Sequence, residues 1–209
     1  MKITKYGHAC LVIEEGDARI ITDPGVYNET PNTTDVDAIL ITHEHADHCD
    51  IDQLKQILSL NPSAVVITHA GVGKVLDETG VAYTLIQDGE EVDVNGVSVK
   101  SSGTDHAIVY EVMPCQNTGF LIANRLFIPG DSFHVPSDAV EVLALPTGGP
   151  WMKTSEAIDY AKAVNPKVVF PIHDAMLTPE FRESFNNRYY PNALTCEYRD
   201  MSEGSVEEF

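Results

Sequence analysis

The chain has 209 residues, enough for one sizeable hydrophobic core or two small halves packed as one unit. Hydrophobic residues at 43% and charged residues at 22% are ordinary for a globular protein, but 32 Asp and Glu against 13 Lys and Arg leave a formal net charge of -19. That balance argues against a nucleic-acid or anionic-membrane surface, which would need basic patches, and its plainest consequence is solubility.

The first quarter reads as strands. KITKY and CLVIEE are separated by a Gly-His step, and ARIITDP follows a Gly-Asp turn. Val26 to Thr34, rich in Asn, Thr and Pro, is a loop. VDAILIT is a near-continuous apolar run of the kind buried on both faces, and it ends at His43. In residues 51–60, Ile51, Leu54, Ile57 and Leu58 fall at helical spacing. AVVIT is a further buried strand, and VGKVLDETG a helix that stops on Gly80. Residues 81–128 alternate short strands with Gly and Asn turns (YTLI, EEVDV, VSVKSS, AIVYEV, GFLIA and RLFIP), and Asn95-Gly96 marks a hairpin. Tyr110 and Met113 read as ordinary strand residues. EVLALP is a strand, TSEAIDYAKAV a helix opened by a Thr/Ser cap, and KVVFPI a strand ending at His173. A last helix is expected over 179–188, and the acidic tail after Thr195 adds one strand at most. No linker, repeat or low-complexity tract divides residues 1–209. Strands in two groups, each mixed with helices, suggest two sheets face to face with helices outside.

The N-terminus lacks the basic region and long apolar run of an export signal, and no apolar stretch is long enough to span a membrane. Cys10, Cys49, Cys115 and Cys196 lie far apart and form no CxxC, so they read as reduced thiols. The expectation is a cytoplasmic location.

The chemistry is concentrated in Thr42-His43-Glu44-His45-Ala46-Asp47-His48. In an extended segment i and i+2 face one side, so His43 and His45 can converge on one metal ion. Asp47 and His48 follow after a turn and can reach a second. Imidazole and carboxylate suit zinc, with manganese or iron as alternatives. A hydrated loop of satisfied histidines is the bland rival. The segment is not HExxH, because Asp47 stands where the second His is needed. Further candidates stand at strand ends: His106, Asp131 after RLFIPG, and His173 after KVVFPI.

In this order of motifs the chain resembles the metallo-β-lactamase superfamily over essentially its whole length, and within it the small metal-dependent hydrolases that include ascorbate-6-phosphate lactonase. The resemblance rests on Asp23 in ITDPG, the HxHxDH segment, His106, Asp131 in PGDS and His173 in PIHD. It implies an α/β fold, a four-layer αββα sandwich. It also implies one metal on His43, His45 and His106, a second on Asp47, His48 and His173, Asp131 bridging them, and Asp23 orienting ligands from behind. The cofactor so implied is two divalent transition-metal ions, and the activity hydrolysis of a small-molecule ester, lactone or phosphoester by a hydroxide bridging them. Homo-oligomers occur in this branch. Exported β-lactamases carry a signal peptide, and their two-zinc forms have Cys where this chain has Asp131, so β-lactam hydrolysis is not expected.

Around this set, Asp47 is placed to orient the attacking water. His8 and His134 are candidate acid/base groups with structural roles as equal rivals, and Trp151 is either a wall of the substrate pocket or a core residue on a Gly-rich turn. His69 is expected at the surface or capping a helix, away from the motif, and Cys49 to pack rather than ligate. Three other functions compete: a phosphodiesterase or nuclease on the same site, disfavoured by the charge; a diiron redox protein, which lacks room for its flavin partner domain; and a non-catalytic metal-binding protein. The expected partner is a small molecule, with no nucleic acid and no membrane.

Overall fold

A computed structural model of the chain describes residues 1–111 and 115–209. The elements in chain order are β1 (Lys2–Gly7), β2 (Cys10–Glu15), β3 (Ala18–Thr22), β4 (Ala38–Leu40), α1 (Ile51–Leu60), β5 (Val65–Thr68), α2 (Ala70–Thr79), β6 (Thr84–Leu85), β7 (Glu91–Val94), β8 (Val97–Ser102), β9 (Gly119–Ile122), β10 (Leu126–Ile128), β11 (Val142–Pro146), α3 (Thr154–Val164), β12 (Val168–Ile172), α4 (Pro179–Ser184), a π-helical turn (Phe185–Tyr189), α5 (Tyr190–Ala193), β13 (Glu197–Tyr198) and β14 (Val206–Glu208).

The strands form two sheets of seven, ordered β14-β1-β2-β3-β4-β5-β6 and β13-β12-β11-β10-β9-β8-β7. In each, an antiparallel meander gives way to parallel strands, β3 to β6 in one and β10 to β13 in the other; loops join β3 to β4 and β10 to β11, and helical crossovers join the rest. The inner faces meet in one core, where Ile3, Leu11, Ile20 and Leu40 of the first sheet pack with Val99, Phe120, Ile128 and Phe170 of the second. On the outer face of the first sheet Val12, Ile21 and Ile39 pack against Leu54 and Ile57 of α1 and Val72 and Leu76 of α2. On the outer face of the second, Leu121, Phe127 and Leu143 meet Ala157 and Tyr160 of α3 and Tyr190. Helix, sheet, sheet, helix is the four-layer αββα sandwich. It forms because β4, β11 and β12 are apolar on both faces and need cover on each side.

Asn95-Gly96, both at positive φ, make the hairpin between β7 and β8. Gly80 caps α2 in the left-handed conformation. The structure also corrects the reading of the sequence. The run AIVYEV is not a strand over its described residues: Ile108, Val109 and Tyr110 stand exposed in a loop, and Val112 and Met113 lie outside the described residues. Helix α3 begins at Thr154, and its cap is Lys153, whose backbone N–H donates to Glu156 Oε2 at 2.8 Å. The tail adds two short strands, one to an edge of each sheet. No helix among the described residues is long and apolar enough to cross a membrane.

Candidate metal centre

Strands β4 and β12 sit inside the first and second sheets, and the segments leaving their C-terminal ends meet at one edge of the sandwich. The first delivers His43, His45, Asp47 and His48, the second His173. The loop after β10 adds Asp131, and the loop after β8 adds His106. Their ligand atoms sort into two groups, each within 4.8 Å: His43, His45, His106 and Asp131, and His8, Asp47, His48 and His173. Asp131 joins the two, with Oδ1 3.1 Å from His48 Nε2 and Oδ2 3.0 Å from His173 Nε2 and 3.4 Å from His106 Nε2.

These contacts are close but not aligned as hydrogen bonds. Nε2 of His48, His106 and His173 and Oδ1 of Asp131 are all buried without a hydrogen-bond partner among the described residues. Four such atoms aimed at each other would be costly in an ordinary core, whereas around a cation they are its donors. The donor set of imidazoles and carboxylates therefore fits divalent transition ions.

The far side of each ring is held. His48 Nδ1 lies 2.9 Å from Asp23 Oδ2, and Asp23 also accepts from the backbone N–H and hydroxyl of Thr42, both at 2.8 Å. Thr42 Oγ1 lies 3.1 Å from His43 Nδ1. His106 Nδ1 meets the Ala107 carbonyl at 2.6 Å and His173 Nδ1 meets that of Gly148. Each outer nitrogen thus carries the proton, leaving Nε2 free to face inward. His8, Asp23 and His173 all adopt positive φ, strain of the kind found where a site fixes its side chains.

Electrostatics divides the cluster. Burial opposes charge on His48 and His173, yet Asp131 and Asp23 push His48 up, and Asp131 and Asp47 push His173 up to about 9. Burial also opposes ionisation of Asp47 and Asp131. The imidazoles of His173 and His8 close to Asp47, and those of His48, His106 and His173 close to Asp131, still hold both well below the carboxylate range. His43 and His45 are lowered, by burial first and then by neighbouring imidazoles. Two carboxylates here stay ionised, which is what holding a cation requires.

The other candidates fall differently. His8 is buried, with Nε2 3.2 Å from Asp47 Oδ2, so it belongs to the second group and not to a remote structural site. Trp151 does both things proposed for it: Nε1 donates to Asp131 Oδ2 at 2.8 Å, its ring packs edge-on to Phe133, and it lines the cleft above the centre. His134 is not brought to the centre. It sits on Ser102, 3.0 Å away, in a separate surface hollow with Asp88 and Lys100, away from the centre where its reading as an acid/base group would need it. His69 caps α2 as expected but is buried directly behind the motif, Nε2 donating to the Thr42 carbonyl at 2.9 Å; β5 is the neighbour of β4, so it was never remote. Cys49 packs in the core.

Sequence reasoning missed Asn117. Its Nδ2 donates to the Pro129 carbonyl and its Oδ1 accepts from Asp131 N–H at 3.1 Å, pinning the loop that carries Asp131. A lone Asn before a strand gives no pattern to find it by.

The Beta-lactamase superfamily domain matches residues 2–173. The chain is 34% identical to protein Rv0786c of Mycobacterium tuberculosis, all of both chains being covered. It is 29% identical to the UPF0173 metal-dependent hydrolase Ta0764 of Thermoplasma acidophilum, over 83% of each. Among solved structures it resembles Igni18, a metallo hydrolase of Ignicoccus hospitalis, with a TM-score of 0.76 at 22% identity, covering 100% of this chain and 98% of that one. The chain belongs to the metallo-β-lactamase superfamily, and its fold is the metallo-β-lactamase fold.

Proposed function

We propose that the protein is a metal-dependent hydrolase that binds two divalent transition-metal ions, zinc first among them, and cleaves a small-molecule ester, lactone or phosphoester. The observation that carries this reading is the convergence, at the foot of an open cleft, of four buried atoms of His48, His106, His173 and Asp131 that have no hydrogen-bond partner among the described residues. Its relatives named as metal-dependent hydrolases support it.

His43, His45 and His106 would hold one ion, Asp47, His48 and His173 the other, and Asp131 would serve both. When bound, the pair lowers the pKa of water toward neutrality and offsets charge that develops on the reacting oxygen. The chain supplies the rest. Asp47 is the carboxylate of the second group that reaches the cleft, and its Oδ2 is shared with His8 and His173. It is positioned to accept a hydrogen bond from the attacking water and orient its lone pair. His8 holds Asp47 in that orientation. Burial pulls His8 down to about 4 despite the bond to Asp47, so it acts as a neutral N–H donor at neutral pH. Trp151 fixes Asp131 from the opposite side.

Metal content per chain, by elemental analysis of protein purified without chelators, tests the reading. Two transition-metal ions per chain, falling in His45→Ala and Asp131→Ala together with esterase or lactonase activity, are expected. No uptake on reconstitution, or full activity in both variants, overturns it.

A further inference from the structure

The cleft above the centre is about 220 Å³, the size for part of a small molecule. Its floor is polar: His45, His106, Asp47, Asp131 and His173. Its walls are not. Val26 and Tyr27 come from the loop after β3, Val109 from the loop after β8, Pro150 and Trp151 from the loop after β11, and Met176 from the turn after β12. Val26 and Tyr27 are each 49% exposed and Met176 47%, so this apolar surface faces water in the free protein. Beside Val109 in the same loop, Ile108 and Tyr110 are 63% and 84% exposed. Apolar side chains gathered from four segments around one polar floor mark a binding surface and not scattered exposure.

Among the described residues lining the cleft none is Lys or Arg. Lys153, two residues after Trp151, is an exposed side chain with Nζ 3.5 Å from Glu156, and Arg182, on α4, donates to the Asp174 carbonyl at 2.8 Å and lies 3.4 Å from its carboxylate. A phosphate or carboxylate remote from the scissile bond would find no partner on these walls, and a net charge of -19 repels it at range.

We infer that the part of the substrate remote from the scissile bond is an uncharged, apolar group, seated between Tyr27, Val109, Trp151 and Met176. This deepens the hydrolase reading and rests on it for the reaction: water adds to the acyl carbon, the acyl C–O bond breaks, and the oxygen leaves with a proton as the alcohol. Specificity then comes from walls that gain nothing from polar atoms. It makes the centre an esterase or lactonase for apolar acyl groups, and sets aside phosphorylated sugars and other substrates whose recognition depends on a charged handle.

The test uses the metal-loaded protein and 4-nitrophenyl esters of acyl chains from two to eight carbons, each compared with an equally long chain ending in carboxylate or phosphate. The expected result is a kcat/KM that rises about two- to fourfold per added methylene until the cleft is filled, with every charged terminus at least tenfold worse than methyl. Met176→Glu, at the half-exposed rim, is expected to lower the octanoyl-to-acetyl ratio of kcat/KM at least fivefold. A kcat/KM that is flat with chain length, or a charged terminus that matches methyl, overturns the inference. Should none of these esters be hydrolysed, that result bears on the reaction alone, and the inference is read by binding instead. Quenching of the protein's single tryptophan by N-alkyl acetamides is expected to tighten with chain length. No tightening, or preference for an ω-charged amide, overturns it.

Discussion

At the scale of single residues, the centre depends as much on what stands behind the candidate ligands as on the ligands. Asp23 is fully buried and takes three contacts, from Thr42 N–H, Thr42 Oγ1 and His48 Nδ1. It orients His48 directly and His43 through the threonine hydroxyl. Asp23→Ala is expected to weaken metal binding by about 10–100-fold while every proposed ligand remains, measured by titration against a chelating indicator. Unchanged affinity would mean that the strands alone fix the rings. The thiols make a second case. Burial pushes Cys115 up to about 11 and Cys49 up to about 12. A raised pKa leaves little thiolate at pH 8, and the reactive fraction grows only as pH climbs toward those values. Half-buried Cys115 is therefore expected to alkylate at least tenfold more slowly in the native protein than in the denatured one at pH 8, followed by mass spectrometry, the gap closing as pH nears 11. Rapid native labelling at pH 8 would contradict this.

At the scale of elements, the loops leaving the strands carry the exacting geometry. Gly130, just before Asp131, has φ +63, and a Cβ there would lie 2.3 Å from Asn117 Oδ1 and 2.8 Å from Thr42 Cβ. Gly80, with φ +73, has nothing within 4 Å of the same position. Gly80→Ala should cost about 1 kcal/mol, the strain of the conformation alone. Gly130→Ala should cost roughly 2–4 kcal/mol, because the clash adds to the strain and breaks the Asn117 bond. Urea midpoints of the two variants measure the difference, and equal losses would show that the loop relaxes freely. This contrast also explains what the sequence could reveal. Buried strands such as VDAILIT and KVVFPI announce themselves by unbroken apolar runs, and HxHxDH by ligand types at a spacing that one extended segment can aim. The positions of His8 and Asn117 depend on which loops meet across the two sheets, and no local period encodes that. AIVYEV misled for the opposite reason: Ile108, Val109 and Tyr110 have strand propensity, but they stand exposed in a loop, with Val109 on the wall of the cleft. His134 misled because three residues in a loop after Asp131 turn the chain away to Ser102.

For the whole molecule, the centre lies where two sheets meet, so what joins the sheets also supports the site. Lys5 of β1 is 1% exposed and reaches the other sheet's strand end, with Nζ 2.9 Å from both the Pro171 carbonyl and Asp174 Oδ1 and 3.1 Å from the Met201 carbonyl. Lys5→Ala leaves Asp174 and two carbonyls underpaired in the interior and should lower stability by about 3–5 kcal/mol, read from denaturant unfolding. A loss below 1 kcal/mol would mean that Arg182 or water replaces it.

Metal removal acts on the same junction. The two groups of donors draw on segments from both sheets, and Asp131 from the second sheet lies against His48 from the first. Ions held there bind the folded chain and not the unfolded one, so each stabilises by mass action, by about 4 kcal/mol when present at a thousandfold over its dissociation constant. For a chain of this size that corresponds to a fall in Tm of roughly 8–16 °C for each ion removed on dialysis against EDTA, restored by adding back the metal. Calorimetry of the loaded and stripped protein measures it, with Asp131→Ala as the comparison. Asp131 is shared by both groups, so the variant should lose most of the metal-dependent shift and not half of it. A shift halved in Asp131→Ala would mean that the two groups bind independently, and no shift in the parent protein would mean that the buried donors close on each other without a cation.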